Sequence, residues 1–178
     1  GPIQNPGAGD PADVERAADL LAEADDPDLV VGDHVPRHGA WSDVDPVEAA
    51  VRLAEASGAR VHAEILACEV DFPADHDQWV SYVPPNEDLA AAAMNSDTVV
   101  LAGCSTHTTL TRHERELVPD DATIVDLNDE PWQVGKNHPA DAAVVGDLGL
   151  VMDAVAERVE DRLDAGEREA RLERVAQF

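Results

Sequence analysis

Short unbroken apolar runs alternate along this chain with longer stretches whose apolar residues recur at helical spacing. Leu29-Val30-Val31-Gly32, Arg60 to Leu66, Asp97 to Gly103, Thr123 to Leu127 and Ala142 to Val145 are the runs. Each is too short for a buried helix and is bounded by turn residues, which predicts strands covered on both faces. Between them, helices announce themselves by their first turns. Asp10-Pro11-Ala12-Asp13 supplies an N-cap, a proline at the first helical position and an acid on the positive end of the dipole. Val14, Ala17, Ala18 and Leu21 then fall on one face. Asp45-Pro46-Val47-Glu48 repeats the pattern with Glu48 at the capping-box position, and Ser57-Gly58 stops that helix. Asn86 opens an alanine-rich helix through Met94, and Asp147 caps a last one from Leu148 to about Leu163.

Capped helices alternating with continuous apolar strands predict an α/β fold with an open parallel sheet and helices on both faces. Residues 34–42 read as a loop. So does the stretch from Asp71 to Pro85, which gathers Phe72, Trp79 and Tyr82 and is bounded by prolines. A sixth, short edge strand is expected near Trp79–Val83. Residues 1–9 read as a Gly/Pro-rich linker, 10–165 as one domain and 166–178 as a charged helical tail. The chain begins Gly1-Pro2 without methionine, so a piece of a longer protein is expected.

Charge changes this picture. Asp and Glu number 38 against 12 Lys and Arg, a net charge of −26, and the single lysine is Lys136. Such self-repulsion destabilises a compact state unless salt screens it. The acids are spread along the whole chain rather than blocked together, which points to a solvated halophilic surface and a high-salt cytoplasm. A cationic partner is the alternative. No basic stripe exists, so nucleic-acid binding is not expected. No run of about 18 apolar residues exists either, so no membrane-spanning helix is expected. Cys68 and Cys104 stand apart in sequence and read as free buried thiols.

Candidate chemistry collects at the ends of strands. Gly32-Asp33-His34 ends the first strand and Gly103-Cys104-Ser105 ends the DTVVLAG strand, where an open α/β sheet binds ligands if its strand order reverses. Those glycines either admit a ligand's approach or simply turn the chain. Asp126-Leu127-Asn128-Asp129 ends the next strand, and an acid there can accept a ribose hydroxyl or merely face solvent. No G-x-G-x-x-G, P-loop or G-x-S-x-G motif occurs. His34 and His38 are split by Pro36, and His107 and His113 suit no helical metal pair, so no metal site is expected. Ser105, Thr106, Thr108 and Thr109 form a hydroxyl cluster that a turn would equally explain.

The order LVVGDHVPRHGA, VHAEI, FPADH, the Pro84-Pro85 pair before a helix, DTVVLAG, then TIVDLNDEPWQVGKNHPADAAVVGDLG resembles the central domain of thiamine-diphosphate-dependent enzymes over about Asp10 to Leu163. It is most similar to benzoylformate decarboxylase and acetolactate synthase large subunits. The resemblance implies a Rossmann-like, six-stranded parallel sheet of order 3-2-1-4-5-6. It also implies that thiamine diphosphate and Mg²⁺ belong to N- and C-terminal catalytic domains of a parent chain. That parent would be a homo-oligomer, a dimer or tetramer. Gly146-Asp147-Leu148-Gly149 is not the family's Gly-Asp-Gly…Asn motif, so the isolated chain is expected to be inactive, with no catalytic residue of its own. Some relatives hold FAD or ADP on this domain. The corresponding positions are Gly32, Gly103, Cys104, Ser105, Asp126, Asn128, Gly146 and Asp147. Benzoylformate decarboxylases lend an active-site histidine whose aligned position is near Leu110, flanked but not matched by His107 and His113. The competing readings are an autonomous nucleotide-binding module and a sirtuin-like deacylase, whose zinc module and histidine motif are missing.

Overall fold

The computed structural model describes residues 6–37, 42–65, 69–105 and 114–178. Its elements run α1 (Pro11–Glu23), β1 (Pro27–Val31), α2 (His34–Arg37), α3 (Pro46–Ser57), β2 (Arg60–Ala63), β3 (Trp79–Tyr82), α4 (Glu87–Ala93), β4 (Thr98–Ala102), β5 (Thr123–Asn128), β6 (Ala142–Val145), α5 (Leu148–Glu160) and α6 (Ala165–Val175). The six strands form one sheet of order β3-β2-β1-β4-β5-β6, parallel at every pairing. The order reverses between β1 and β4, so the chain leaves these neighbours in opposite directions and a switch point forms at their carboxyl ends.

Caps set the helices. The side chains of Asp10, Asp45, Asn86 and Asp147 each accept from backbone N–H groups in the first turn they precede. Gly58 ends α3 at φ +67°, a left-handed conformation that glycine adopts without strain. Helices α1, α3 and α5 cover one face, where Val14, Leu21, Leu53, Met152 and Val155 pack on Leu29, Val31, Val100, Val125 and Val144. The other face carries α4, with Ala90 and Met94, and the segment of Leu117 and Val118, packed on Val30, Val99, Leu101 and Ile124. The edge strand expected near Trp79–Val83 is β3. The stretch expected to be a loop from His34 begins instead with the single turn α2. Val35 is fully buried and donates from its N–H to Gly32 O at 3.1 Å, and Pro36 is tolerated because a first-turn residue has no helical acceptor to lose.

Two buried charged groups act structurally. At the amino edge of the sheet, His62 Nδ1 lies 2.9 and 3.0 Å from the two oxygens of Asp28, both residues fully buried. Arg60 beside them donates to Asp26 at 2.7 Å and to Asn95 O at 2.8 Å. Helix α6 has few apolar residues and docks through Arg171. That guanidinium, 4% exposed, donates to Leu21 O and Ala22 O of α1, to Ala24 O just beyond it, and to Ser57 O of α3. These are carbonyls that a helix C-terminus cannot satisfy internally.

Candidate functional site at the switch point

The carboxyl ends of β1, β2, β4 and β5 bring together six of the eight expected ligand-binding residues: Gly32, Gly103, Cys104, Ser105, Asp126 and Asn128. Gly32 N donates to Ala102 O at 2.8 Å and Gly103 N to Leu127 O at 2.8 Å, so the ladder continues through both glycines. Packing accounts for each. A Cβ on Gly32 would lie 2.3 Å from Gly103 O and 2.5 Å from Cys104 Cα. Gly103 adopts φ +63°, and a Cβ there would meet Leu148, His34 and Val35. Of the two readings of these glycines, the turn-and-packing one is what the contacts support.

The centre of the site is a residue that sequence reasoning passed over. Glu64 follows β2, donates its own N–H to Val31 O at 2.9 Å and is 3% exposed. Its carboxylate reaches across the switch point. Oε1 accepts from Ser105 N at 2.9 Å, and Oε2 from Asp33 N at a longer 3.4 Å. Backbone amides converging at strand ends are the donors a Rossmann-like site offers to a phosphate. Here a carboxylate of the same chain occupies them. Asp33 is fixed in turn, accepting from Ser105 Oγ at 3.1 Å and from Arg37 at 2.8 Å. Arg37, whose guanidinium could otherwise face a phosphate, is thereby committed to an acid.

The remaining residues are also engaged. Asn128 Nδ2 donates to Cys104 O at 3.0 Å, and its Oδ1 accepts from Glu130 N. Asp126 accepts from Gly135 N at 3.1 Å through one oxygen, while the other is buried without a partner. Burial raises its pKa, and the Gly135 N–H and the nearby Asn128 amide oppose that rise. The cavity beside it, lined by Cys104, Ser105, Gln133 and Lys136, is about 20 Å³, room for one water and far too little for an adenine ring. Burial pushes the free Cys104 thiol well above its ordinary value, so it is not a thiolate nucleophile. His34 Nδ1 pairs with Asp129 at 2.8 Å.

Gly146 and Asp147 stand apart, at the end of β6. Gly146 N donates to Asn128 O at 3.0 Å, but a Cβ on Gly146 would strike Gly7 O at 2.6 Å. Asp147 accepts from Leu150 N and Ser42 Oγ as the cap of α5. Both are absorbed by local structure. Cys68, His38, His107, His113, Thr106, Thr108, Thr109, Arg112 and the position aligned with the benzoylformate-type histidine, Leu110, lie outside the described residues.

A second missed residue is Asp71, which opens the aromatic loop. It is 2% exposed, and among the described residues both carboxylate oxygens lack hydrogen-bond partners. Burial, followed by the charges of Asp33, Glu64 and Glu69, raises its pKa to about 7, with Arg37 acting in the opposite sense. Behind it Phe72 stacks on Trp79 with centroids 6.2 Å apart and meets His76 edge-on.

Neither cofactor type that the resemblance raised fits these residues. Among the described residues no group of three or more His, Cys, Asp or Glu could hold a metal ion, and Asp147, in the nearest likeness to a diphosphate motif, is spent as a helix cap. A nucleotide phosphate would have to displace Glu64.

The profile of the family described as "Thiamine pyrophosphate enzyme, central domain" matches residues 14–155. The chain is 30% identical over 170 residues to the probable acetolactate synthase large subunit of Methanocaldococcus jannaschii, covering 94% of this chain and 27% of that protein. Its fold superposes with TM-score 0.77 and 26% identity on a solved structure from Mycobacterium smegmatis described as that of a thiamin diphosphate-dependent enzyme, covering 93% of this chain and 30% of the other. A Rhodococcus jostii thiamine diphosphate-dependent 4-hydroxybenzoylformate decarboxylase shares the fold at TM-score 0.72 and 20% identity, over 84% and 27% of the two chains. The chain thus spans less than a third of the length of the proteins it matches.

Proposed function

The chain belongs to the thiamine pyrophosphate enzyme central-domain family, and from that premise we propose that it is the non-catalytic middle domain of a 2-oxoacid decarboxylase or carboligase. In this reading it bridges N- and C-terminal catalytic domains of one parent polypeptide. Thiamine diphosphate and Mg²⁺ are held by those domains, and the parent assembles as a dimer or tetramer. Decarboxylation or carboligation at the thiazolium is supplied by the cofactor elsewhere; the residues here position and space.

One observation carries the non-catalytic, ligand-free role: the Glu64 carboxylate on Ser105 N and Asp33 N. A nucleotide at this switch point would need those amides for its phosphates. It would also approach Asp33 and Glu64 in a chain of net charge −26. An autonomous FAD- or ADP-binding module therefore has no support in the geometry.

Two measurements on the 178-residue chain test this. Titration calorimetry with ADP and FAD in multimolar KCl is expected to give no heat at millimolar ligand. Turnover of pyruvate or benzoylformate with added thiamine diphosphate and Mg²⁺ is expected to stay at background. Saturable nucleotide binding would overturn the plugged switch point, and turnover would overturn the non-catalytic assignment.

A further inference from the structure

We propose that residues 69–77, which lead from the switch point to β3, form a proton-operated latch, packed while Asp71 carries a proton and released when Asp71 ionises. The geometry is that of a charge with nowhere to go. Asp71 is buried, and among the described residues neither of its oxygens has a hydrogen-bond donor. An ionised carboxylate in that position is strongly disfavoured, whereas a neutral acid is tolerable.

Among the described residues, the groups acting on it come from the ends of β1 and β2, from α2 and from its own segment. Asp33, after β1, and Glu64, after β2, repel a charge on Asp71, as does Glu69 in its own segment, while Arg37 of α2 attracts it. Arg37 is already paired with Asp33 at 2.8 Å. Asp71 in turn acts on the Cys104 thiol at the end of β4. Glu64 cannot turn away without leaving Ser105 N unsatisfied. Among the described residues the segment is tied within itself by His76 N to Pro73 O at 3.2 Å, Gln78 N to His76 Nδ1 at 3.2 Å and Trp79 N to His76 O at 2.9 Å, and it is anchored where β3 begins by Gln78 Nε2 to Ala54 O and Ala59 O at 2.7 Å and by Val61 N to Gln78 O at 2.8 Å. Its other titratable tie is His76 Nε2 to Glu55 of α3 at 3.4 Å.

The sign follows from linkage. Asp71 has a pKa of about 7 when packed, against 3.8 when hydrated. The packed loop therefore binds the proton more tightly, and its advantage is complete below the lower value. That advantage falls up to about tenfold per pH unit as pH rises towards 7, and changes no further above it. Release exposes Phe72 and unstacks it from Trp79 at neutral to alkaline pH.

Hydrogen–deuterium exchange on the 178-residue chain, corrected for intrinsic rates, reads this directly. Protection of amides in 72–77, relative to those of β1 and β4, is expected to fall as pH rises from 5 to 7. In Asp71→Asn, which mimics the protonated acid, it should be flat, and in His76→Gln the fall should persist. An equal fall in Asp71→Asn, or its loss in His76→Gln, overturns the latch. Carbon-13 titration of the wild-type Asp71 carboxyl needs no variant to fold. A midpoint near 7 supports the proposal, and one below 5 refutes it.

Discussion

Replacing Gly32 by alanine separates two reasons for a glycine at a strand end. If Gly32 exists to admit a ligand, alanine leaves the empty domain as stable as before. If it exists because β1 and β4 touch there, alanine forces them apart. The added Cβ would lie 2.3 Å from Gly103 O, about 1 Å inside ordinary contact at 3.4 Å, and 2.5 Å from Cys104 Cα. Both are backbone atoms, so no side-chain rotation relieves the overlap. Opening the strands by that amount stretches Gly32 N to Ala102 O, now 2.8 Å, and His34 N to Gly103 O, now 3.1 Å, beyond hydrogen-bonding range. Two backbone bonds at about 1 kcal/mol each, with an overpacking cost of roughly 1–3 kcal/mol, outweigh the 0.4–1 kcal/mol or so gained by stiffening the unfolded chain. A net loss of about 3 kcal/mol lowers Tm by roughly 6–12 °C for a chain of this size. Calorimetric melting in multimolar KCl measures it. A change below about 1 °C would show that the strand ends are not in the contact described, and would reopen the ligand reading of Gly32.

Two further outcomes follow from the same reasoning. Arg171→Met keeps the apolar stem but removes the donors to Leu21 O, Ala22 O, Ala24 O and Ser57 O, and is expected to cost about 2–4 kcal/mol in urea unfolding, where no loss would mean that α6 is only loosely attached. The net charge of −26 makes stability rise with KCl as the Debye length shrinks from about 30 Å at 0.01 M to about 3 Å at 1 M, and equal melting temperatures by circular dichroism at both extremes would assign the acids another purpose.

Much of the fold was legible because its signals are local. Apolar runs became β1, β4, β5 and β6 within a residue or two, and Asp10, Asp45, Asn86 and Asp147 cap helices as their spacing indicated. The strand order was not local information; it came from resemblance, since nothing in a run of valines says which run lies beside it. The site was legible only as a place. Glu64 looks like a polar position in VHAEI, and its two partners lie 31 and 41 residues away. Asp71 reads as a turn acid before Phe72-Pro73, and its burial depends on the strands it is folded against. Arg171 sits in a run of alternating charges that looks like a solvated helix face, and its acceptors are 114 to 150 residues distant. For Glu64 and Arg171 the decisive interaction joins a side chain to backbone far off in sequence, and for Asp71 it is burial by distant strands; periodicity registers neither.

The plugged switch point explains how a fold with a ready anion site can serve without a ligand. Converging amides at strand ends are a cost when nothing accepts from them. A bound phosphate is one remedy; a carboxylate carried on the next strand is another. Glu64 is tethered, so its effective concentration at Ser105 N is high at every ligand level. A phosphate would also have to enter beside the Asp33 carboxylate on a strongly anionic chain. The same choice burdens the neighbourhood. Burial, before any neighbouring charge, is what keeps Asp71 from ionising cheaply, and the carboxylates of Asp33 and Glu64 add to it, so the acid that fills the site from within contributes to the proton Asp71 retains near neutrality.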